Sequence, residues 1–257
     1  MLYNYHNHTP RCNHATGEPR EYIENAIKGG IKHFGFSEHA PFMFPDGYES
    51  WYKLPCSEVS DYFNELYALR EEYNDRIDIK IGFEMEYYPQ FFDEMYNYAK
   101  ECGAEYLILG QHYLYGEGPD GIDTFRASGD EKLLKDYTDY VLSAMKTGVF
   151  TYVAHPDVFT FLGDSEIYLN EMRKICELSK EMDIPLEINL NGMYYNRSYP
   201  KEIFWEMAGN VGCPVVIGGD AHSADRACDM VSFEKAMAMV EKYKLNLIEK
   251  PEIIGLK

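Results

Sequence analysis

The chain has 257 residues, of which 46% are hydrophobic and 26% are charged, a composition that excludes a disordered or fibrous protein and allows an extensive core. Lys and Arg number 24 against 43 Asp and Glu, which gives a net charge of −19. Such a surface would repel the backbone of DNA or RNA, so a general nucleic-acid binder is not expected.

Short apolar runs alternate with amphipathic segments along the chain. Apolar runs bounded by Gly or Pro predict buried strands, and apolar residues at intervals of three and four predict helices. The predicted elements, in chain order, are strand 2–5, helix 22–27, strand 33–36, helix 59–73, strand 77–83, helix 92–99, strand 106–109, helix 134–145, strand 150–154, helix 172–182, strand 186–190, helix 203–211, strand 215–217 and helix 230–240. Glycines suited to end helices follow four of them: Gly30, Gly103, Gly148 and Gly212.

Seven strands alternating with seven helices predict an α/β fold with a parallel sheet. At this length a closed barrel similar to the TIM barrel is the economical arrangement, and an open doubly wound sheet is the alternative. No linker or low-complexity stretch interrupts the alternation, so residues 1–257 are expected to form a single domain. Two long connections, residues 40–57 and 113–129, follow strands and are expected to cover an active site.

Features of a membrane or exported protein are absent from the sequence. No apolar run approaches the roughly 20 residues needed to cross a bilayer, and residues 1–8 do not place an apolar stretch after a basic one. The six cysteines are scattered without a C-x-x-C pair, as is usual for reduced thiols. We therefore expect a soluble, cytoplasmic protein with no membrane partner.

Histidines are concentrated at the carboxyl ends of the predicted strands. This is the face on which barrel active sites are built. The exception, His33, begins a strand and is interpreted as a structural residue. A shared metal centre explains the joint placement of the other seven better than seven separate structural roles do. They are His6, His8, His14, His39, His112, His155 and His222.

The spacing of these residues favours metal ligation. Alternate side chains of a strand point to the same side, so His6-x-His8 directs two imidazoles at one ion, and Asp220-x-His222 repeats the arrangement. Glu84, at the end of the third strand, offers a carboxylate that can bridge two cations. The set exceeds the four ligands typical of one tetrahedral zinc. We therefore predict two or three divalent ions, for which zinc, manganese and iron are all suitable.

Two residues near this set are left out of it. Glu86 follows Glu84 by two positions and is interpreted as a solvated carboxylate. Cys12 lies between His8 and His14 and is interpreted as a packed thiol beside the first loop.

Several short segments, in this order, resemble the PHP (polymerase and histidinol phosphatase) family, and specifically its histidinol-phosphate phosphatase branch. The resemblance covers essentially the whole chain. Its segments are HNHTPRCNH at 6–14, FSEH ending at His39, GFEMEYY around Glu84, GQH ending at His112, HPD at His155, EINLNG at 187–192 and GGDAHS around Asp220.

The resemblance implies a distorted seven-stranded (β/α)7 barrel and three metal sites, two of which share Glu84 as a bridging carboxylate. It also implies the hydrolysis of L-histidinol phosphate in histidine biosynthesis. The implied ligands are His6, His8, Glu84 and Asp220 for the first site; Glu84, His112 and His155 for the second; and His14, His39 and His222 for the third.

Clustered cations suit the hydrolysis of a phosphomonoester, whose anionic oxygens repel a nucleophile. Cations neutralise that charge and ionise water near neutral pH, so an in-line attack needs no Ser, Cys or Asp nucleophile. Glu84 and Asp220 would serve catalysis as ligands. Arg197, after the sixth strand, is the candidate to bind phosphate, because a planar guanidinium can donate two parallel hydrogen bonds. The alternative for Arg197 is a surface role, and Arg11 and Arg126 are weaker candidates.

Aromatic and amide side chains near the predicted centre each have two interpretations. Asn189 and Asn191 either orient a loop or ligand, or only cap the backbone. An acidic mouth would suit a cationic amino alcohol such as histidinol. Four aromatic residues of the long connections either enclose an imidazole or other small organic group, or only pack their loops: Trp51, Tyr52, Tyr113 and Tyr115.

The preferred function is a metal-dependent phosphomonoesterase acting on a small phosphorylated metabolite, which the resemblance identifies as L-histidinol phosphate. A phosphatase for another small metabolite is an alternative. So is a phosphodiesterase or exonuclease using the same metals, which the net charge of −19 disfavours. A non-catalytic metal-binding module is disfavoured because every expected ligand type is present.

Overall fold

Parallel strands form the centre of the protein in a computed structural model that describes residues 1–118 and 120–257. The strands within these residues are β1 (Tyr3–Asn4), β2 (His33–His39), β3 (Asp78–Met85), β4 (Leu107–Leu109), β5 (Tyr113–Leu114), β6 (Ile122–Asp123), β7 (Phe150–Val153), β8 (Leu186–Asn189), β9 (Pro214–Gly218) and β10 (Asn246–Leu247). Eight of them form one parallel sheet in the order β1-β2-β3-β4-β7-β8-β9-β10, and β5 and β6 form a separate antiparallel hairpin. The predicted parallel sheet is thus confirmed.

The sheet curls until the chain beyond β1 meets the chain beyond β9. There the His8 N–H donates to Ala221 O at 3.0 Å, and the Ala221 N–H donates to His6 O at 3.3 Å. On the same edge of the sheet, β10 pairs in parallel with Pro214 and Val215 in the amino-terminal half of β9. This curl confirms the barrel-like α/β fold and excludes the open doubly wound alternative.

The predicted strand count of seven is wrong, because the described residues form a sheet of eight strands. The missed strand, β10, has only two residues, and its pairing depends on the position of β9 rather than on an apolar run of its own. Hairpin β5–β6 was also missed. So was the short helix 190–194, which begins where a strand was predicted to reach residue 190. The Asn189 side chain caps this helix by accepting the Gly192 N–H at 2.9 Å, and so ends β8.

Helices surround the sheet, and several of them begin or end at residues suited to that position. Asp130 and Asp164 cap the fourth and fifth helices by accepting backbone N–H groups. The glycines predicted at helix ends all have positive φ, between 69° and 94°. No helix within the described ranges is long and apolar enough to cross a membrane. The helices found in those ranges are α1 (Pro19–Lys28), α2 (Val59–Tyr73), α3 (Phe92–Glu101), α4 (Glu131–Thr147), α5 (Ser165–Met182), α6 (Leu190–Tyr194), α7 (Glu202–Val211) and α8 (Met230–Tyr243).

Two groups of buried side chains pack on the sheet. The larger joins the helices to the outside of the sheet. The smaller lies inside the curl, where the Tyr106 hydroxyl donates to Tyr5 O at 2.7 Å. This inner group is a packed floor beneath the carboxyl ends of the strands and consists of Tyr3, Tyr5, Tyr106, Ile108, Tyr152, Ala154 and Val216.

Candidate metal centre

All nine predicted ligands lie together at the carboxyl ends of the strands. Among the described residues, five groups of three side chains place their ligand atoms within 4.8 Å of one another, and every predicted ligand belongs to at least one group. The groups are His6–His8–Glu84, His6–His155–Asp220, His39–Glu84–His112, His14–His39–His222 and His8–Cys12–His222.

Strand register brings these side chains to one place. His39 ends β2 and lies opposite Glu84 of β3 in the parallel ladder. The backbone hydrogen bonds beyond β1 and β9 hold the His-x-His and Asp-x-His segments side by side. His33, at the other end of β2, pairs with Asp78 at 3.0 Å, as expected for a structural residue.

Glu84 lies at the centre of the cluster. A side chain at Gly110 would collide with it, since a Cβ there would lie 2.0 Å from Glu84 Oε1. The two carboxylate oxygens face different imidazoles, the geometry expected of a bridge between cations. Oε1 lies 2.8 Å from His155 Nε2 and 3.3 Å from His112 Nε2. Oε2 lies 3.1 Å from His39 Nδ1 and 3.5 Å from both His6 Nε2 and His8 Nε2.

Asp220 is oriented by two asparagines. Its Oδ1 lies 3.2 Å from His8 Nε2 and 3.2 Å from His222 Nδ1. Its Oδ2 accepts the side-chain amides of Asn189 at 3.1 Å and Asn191 at 3.3 Å. Asn189 thus has both roles considered from the sequence, since it caps α6 and also positions a predicted ligand.

The three ligand sets implied by the family resemblance overlap in space. His39 groups with Glu84 and His112, and also with the His14–His222 pair. His155 lies beside Glu84 Oε1 and also groups with His6 and Asp220. His39 and His155 therefore stand between neighbouring sites.

Three buried carboxylates contact the Nδ1 atoms of predicted histidine ligands whose Nε2 atoms face the centre. A carboxylate that accepts a hydrogen bond from the Nδ1–H group fixes the imidazole ring and directs the Nε2 lone pair into the centre. The pairs are Glu187 Oε1 with His6 Nδ1 at 2.8 Å, Glu38 Oε1 with His8 Nδ1 at 3.2 Å, and Glu86 Oε1 with His112 Nδ1 at 2.7 Å.

Sequence reasoning missed Glu38 and Glu187, and its interpretation of Glu86 as solvated is wrong. Glu86 is fully buried, and its second oxygen contacts the Lys53 ammonium. One indication of their role was visible in the sequence, because Glu38 and Glu86 lie next to predicted ligands: Glu38 directly precedes His39, and Glu86 follows Glu84 by two positions. Their partners, however, come from other strands.

Cys12 is the packed thiol that the sequence predicted. It is fully buried, and its Sγ donates to Thr9 O at 3.1 Å. Sγ nevertheless lies within 4.8 Å of ligand atoms of His8 and His222. Burial raises the pKa of this thiol, which keeps it in the protonated form that binds metals poorly.

The charges of the cluster favour cations. Burial alone would raise the pKa of Glu84, but the imidazoles of His112 and His6 outweigh it and hold that pKa well below its usual range. Burial likewise opposes ionisation of Asp220, and His6 and His222 lower its pKa. Partial desolvation of the His14 ring, in a residue that stays partly exposed, and the nearby His222 lower the pKa of His14 to about 4. At pH 7 both carboxylates are therefore ionised and His14 is neutral, the forms that bind metal ions. Against the effect of burial, the neighbouring carboxylates raise the pKa of His6, His8 and His112, so these three imidazoles would release a proton when a cation binds.

Buried polar atoms at the centre are left without hydrogen bonds. Each such atom costs about 1–3 kcal/mol when unsatisfied, and coordination to cations would satisfy them together. Imidazole and carboxylate suit zinc, manganese and iron, so the residues fit divalent ions. Among the described residues, the unpaired atoms facing the centre are His6 Nε2, His8 Nε2, His39 Nδ1, His222 Nε2 and Glu84 Oε2.

A cavity of about 310 Å³ opens over the cluster, and both long connections contribute to its walls. Arg197 lines it with its guanidinium 5.7 Å from the Phe125 ring. Asp123 is the lining carboxylate outside the predicted ligand set, and its Oδ1 accepts the Phe125 N–H at 2.8 Å. The aromatic walls are formed by Trp51, Tyr52, Tyr113, Phe125, Tyr195 and Tyr199.

Three other residues considered from the sequence, Tyr115, Arg11 and Arg126, do not line the cavity. The Tyr115 ring packs on Tyr140 with centroids 6.2 Å apart, so Tyr115 packs its loop. Arg11 pairs with Glu65 at 2.6 Å. Arg126 is exposed after β6. Of the three arginines considered, Arg197 is the one that lines the cavity.

The profile of the PHP domain matches residues 4–191. The chain belongs to the PHP domain family. The matched region contains the predicted ligands from His6 to His155 and ends before Asp220 and His222, which the fold returns to the same cluster. The family resemblance drawn from the ordered segments is confirmed.

Several relatives of this PHP chain are named histidinol-phosphatase. It is 28% identical over 226 residues to a "Probable histidinol-phosphatase" of Deinococcus radiodurans, covering 84% of this chain and 85% of the relative. It is 25% identical over 255 residues to the histidinol-phosphatase of Lactococcus lactis, covering 93% and 90%. The crystal structure of the Lactococcus lactis histidinol phosphate phosphatase, complexed with zinc, L-histidinol and phosphate, has a TM-score of 0.73 at 20% identity, covering 100% of this chain and 98% of that one.

Proposed function

We propose that this protein is a metal-dependent phosphomonoesterase that hydrolyses L-histidinol phosphate to L-histidinol and phosphate, as a cytoplasmic step of histidine biosynthesis. The observation that carries the proposal is the Glu84 carboxylate. Its two oxygens face separate imidazoles beneath an aromatic cavity that also holds Arg197 and Asp123. The histidinol-phosphatase names of the relatives support the same substrate.

Two or three divalent ions would occupy the centre, drawn from zinc, manganese and iron. When bound, such ions neutralise phosphate charge and ionise water near neutral pH. The proposed ligands are His6, His8, Glu84 and Asp220; Glu84, His112 and His155; and His14, His39 and His222.

The protein's own residues orient the substrate in this proposal. Arg197 donates two parallel hydrogen bonds to the phosphate, which lies over the centre. Asp123 accepts a hydrogen bond from the ammonium or imidazolium group at the organic end of the substrate, because it lines the cavity and is not a proposed metal ligand. Tyr52 and Tyr113, whose rings stack with centroids 5.8 Å apart, offer an aromatic surface to the imidazole.

Residues 1–257 would work as one metallophosphatase domain. The proposed ligands extend from His6 to His222, and the hydrogen bonds of Ala221 with His6 and His8 join the two ends of that span. If the chain were divided into two domains between His6 and His222, ligands of a single proposed centre would lie in different domains.

A substrate panel tests the proposal. The purified protein, supplemented in turn with zinc, manganese or iron, would be assayed on L-histidinol phosphate, nucleoside monophosphates and short single-stranded DNA. We expect the highest kcat/KM on L-histidinol phosphate. A higher value on another monophosphate would refute the substrate and keep the phosphatase, whereas preferential cleavage of DNA would refute both.

A further inference from the structure

A buried lysine lies behind the cavity walls. Lys53, in the connection 40–57, is only 2% exposed, although lysine is rarely buried without a partner. Its Nζ contacts Glu86 and lies 2.7 Å from Glu117 Oε1. Glu117 also accepts the Tyr88 hydroxyl at 3.0 Å and contacts the Ser50 hydroxyl. These five residues, here called the Lys53 cluster, join both long connections to the end of β3.

The Lys53 cluster is one hydrogen bond away from a proposed ligand. Glu86 contacts Lys53 through Oε2, while its Oε1 lies 2.7 Å from His112 Nδ1. His112 Nε2 in turn lies 3.3 Å from Glu84 Oε1. The orientation of His112 therefore depends on Glu86, and the position of Glu86 depends on Lys53.

Electrostatics explains why an ammonium is needed at this point. Without Lys53, the Glu86 and Glu117 carboxylates would be left in a buried site with no cation between them. Removing one partner of a buried ion pair leaves uncompensated charge, which is strongly destabilising. The carboxylates would separate or admit water, and Glu86 would no longer be held against His112.

The same ammonium fastens the two cavity walls to each other. Tyr52, from the connection 40–57, stacks on Tyr113, from the connection 113–129, at an interplanar angle of 21°. Lys53 of the first connection, whose Nζ lies 5.9 Å from the centroid of the Tyr52 ring, contacts Glu117 of the second. The walls and the His112 ring are thus fixed by one group.

We propose that Lys53 is a positioning residue that couples the packing of the two cavity walls to the orientation of His112. The inference rests on the proposed function only in taking His112 as a metal ligand. Its other half, the joining of the two connections, stands on contacts that involve no metal.

Hydrogen exchange tests the joining of the walls. In Lys53→Met, measured on the full chain as purified, amides of residues 40–57 and 113–129 should both exchange at least about tenfold faster than in the wild type. Lys135→Met is the matched control, since Lys135 is an exposed lysine that contacts Asp139 within α4, and it should leave both connections unchanged. Faster exchange in only one connection, or in neither, would overturn the proposal.

Zinc titration after chelation tests the orientation of His112. Loss of a partner that orients a ligand typically weakens metal binding about 10–100-fold, so Lys53→Met should weaken one zinc equivalent by that factor and spare the others. Equal weakening of every equivalent would indicate a merely structural role and refute the proposal. If the wild type binds neither zinc nor manganese nor iron, the proposed function fails, while the exchange experiment still decides the joining of the walls.

A second variant guards against misfolding of Lys53→Met. Glu117→Gln removes the charge from one wall but keeps the contact between Lys53 and Glu86. It should speed exchange in both connections and change zinc affinity by less than about threefold, because His112 keeps its partner. A loss of zinc affinity equal to that of Lys53→Met would contradict the order of dependence proposed here.

Discussion

Replacement of Glu84 by Gln should impair two metal sites at once. The carboxylate presents Oε1 to His112 and His155, and Oε2 to His39 and the His-x-His pair. An amide keeps one acceptor oxygen and puts an NH2 group, which cannot bind a cation, in place of the other. Loss of an orienting partner alone costs about 10–100-fold in metal affinity, and loss of a ligand costs at least as much. Two sites together therefore predict a loss of activity of about 10²–10⁴-fold or more.

Elemental analysis of the purified variant, beside its kcat on L-histidinol phosphate, would measure this effect. Glu86→Gln is the matched control, because Glu86 contacts the single imidazole of His112 and should weaken one site only. Glu84→Gln should lose about twice as many ions as Glu86→Gln. Retention of full metal content and activity, or the loss of one ion only, would refute the bridging role.

Three further outcomes are expected. Arg197→Lys should lower kcat/KM about 10–100-fold, because it loses a charge-assisted hydrogen bond to phosphate, and the metal content should not change. A kcat/KM equal to that of the wild type would show that Arg197 does not bind the phosphate. Asp123→Asn should raise KM for L-histidinol phosphate about tenfold but leave p-nitrophenyl phosphate hydrolysis unaltered, and an equal effect on both substrates would argue against its contact with the organic end. Chelation should abolish activity, and added zinc or manganese should restore it; activity that survives full metal removal would contradict a metal mechanism.

The position of the site was predictable because it depends on local pattern. Alternation of apolar runs and amphipathic segments defined the strands, and His39, His112 and His155 mark strand ends in the sequence itself. Parallel strands bring their carboxyl ends to one edge, so these residues had to converge. The glycines that end helices could be predicted as well, because the left-handed backbone conformation there depends on the residue type at a single position.

The partners behind the ligands were not predictable, because they depend on contacts between distant segments. Glu86 looks solvated until Lys53 arrives from another connection. Glu187 meets His6 only after the sheet has curled. Strand β10 was missed for the same reason, because two residues form a strand only where β9 already offers free backbone groups.

The meeting of His6 and His8 with Ala221 has a consequence for how the chain folds. These backbone hydrogen bonds join residues more than two hundred positions apart, and contacts between such distant residues form late and slow folding. During synthesis β1 emerges before β9 and must wait, with that side unpaired, until Ala221 has also left the ribosome. The His6–His8 pair, predicted to bind metal, is therefore assembled late in folding, and a truncated chain that lacks Ala221 would retain both histidines without the backbone partner that holds them.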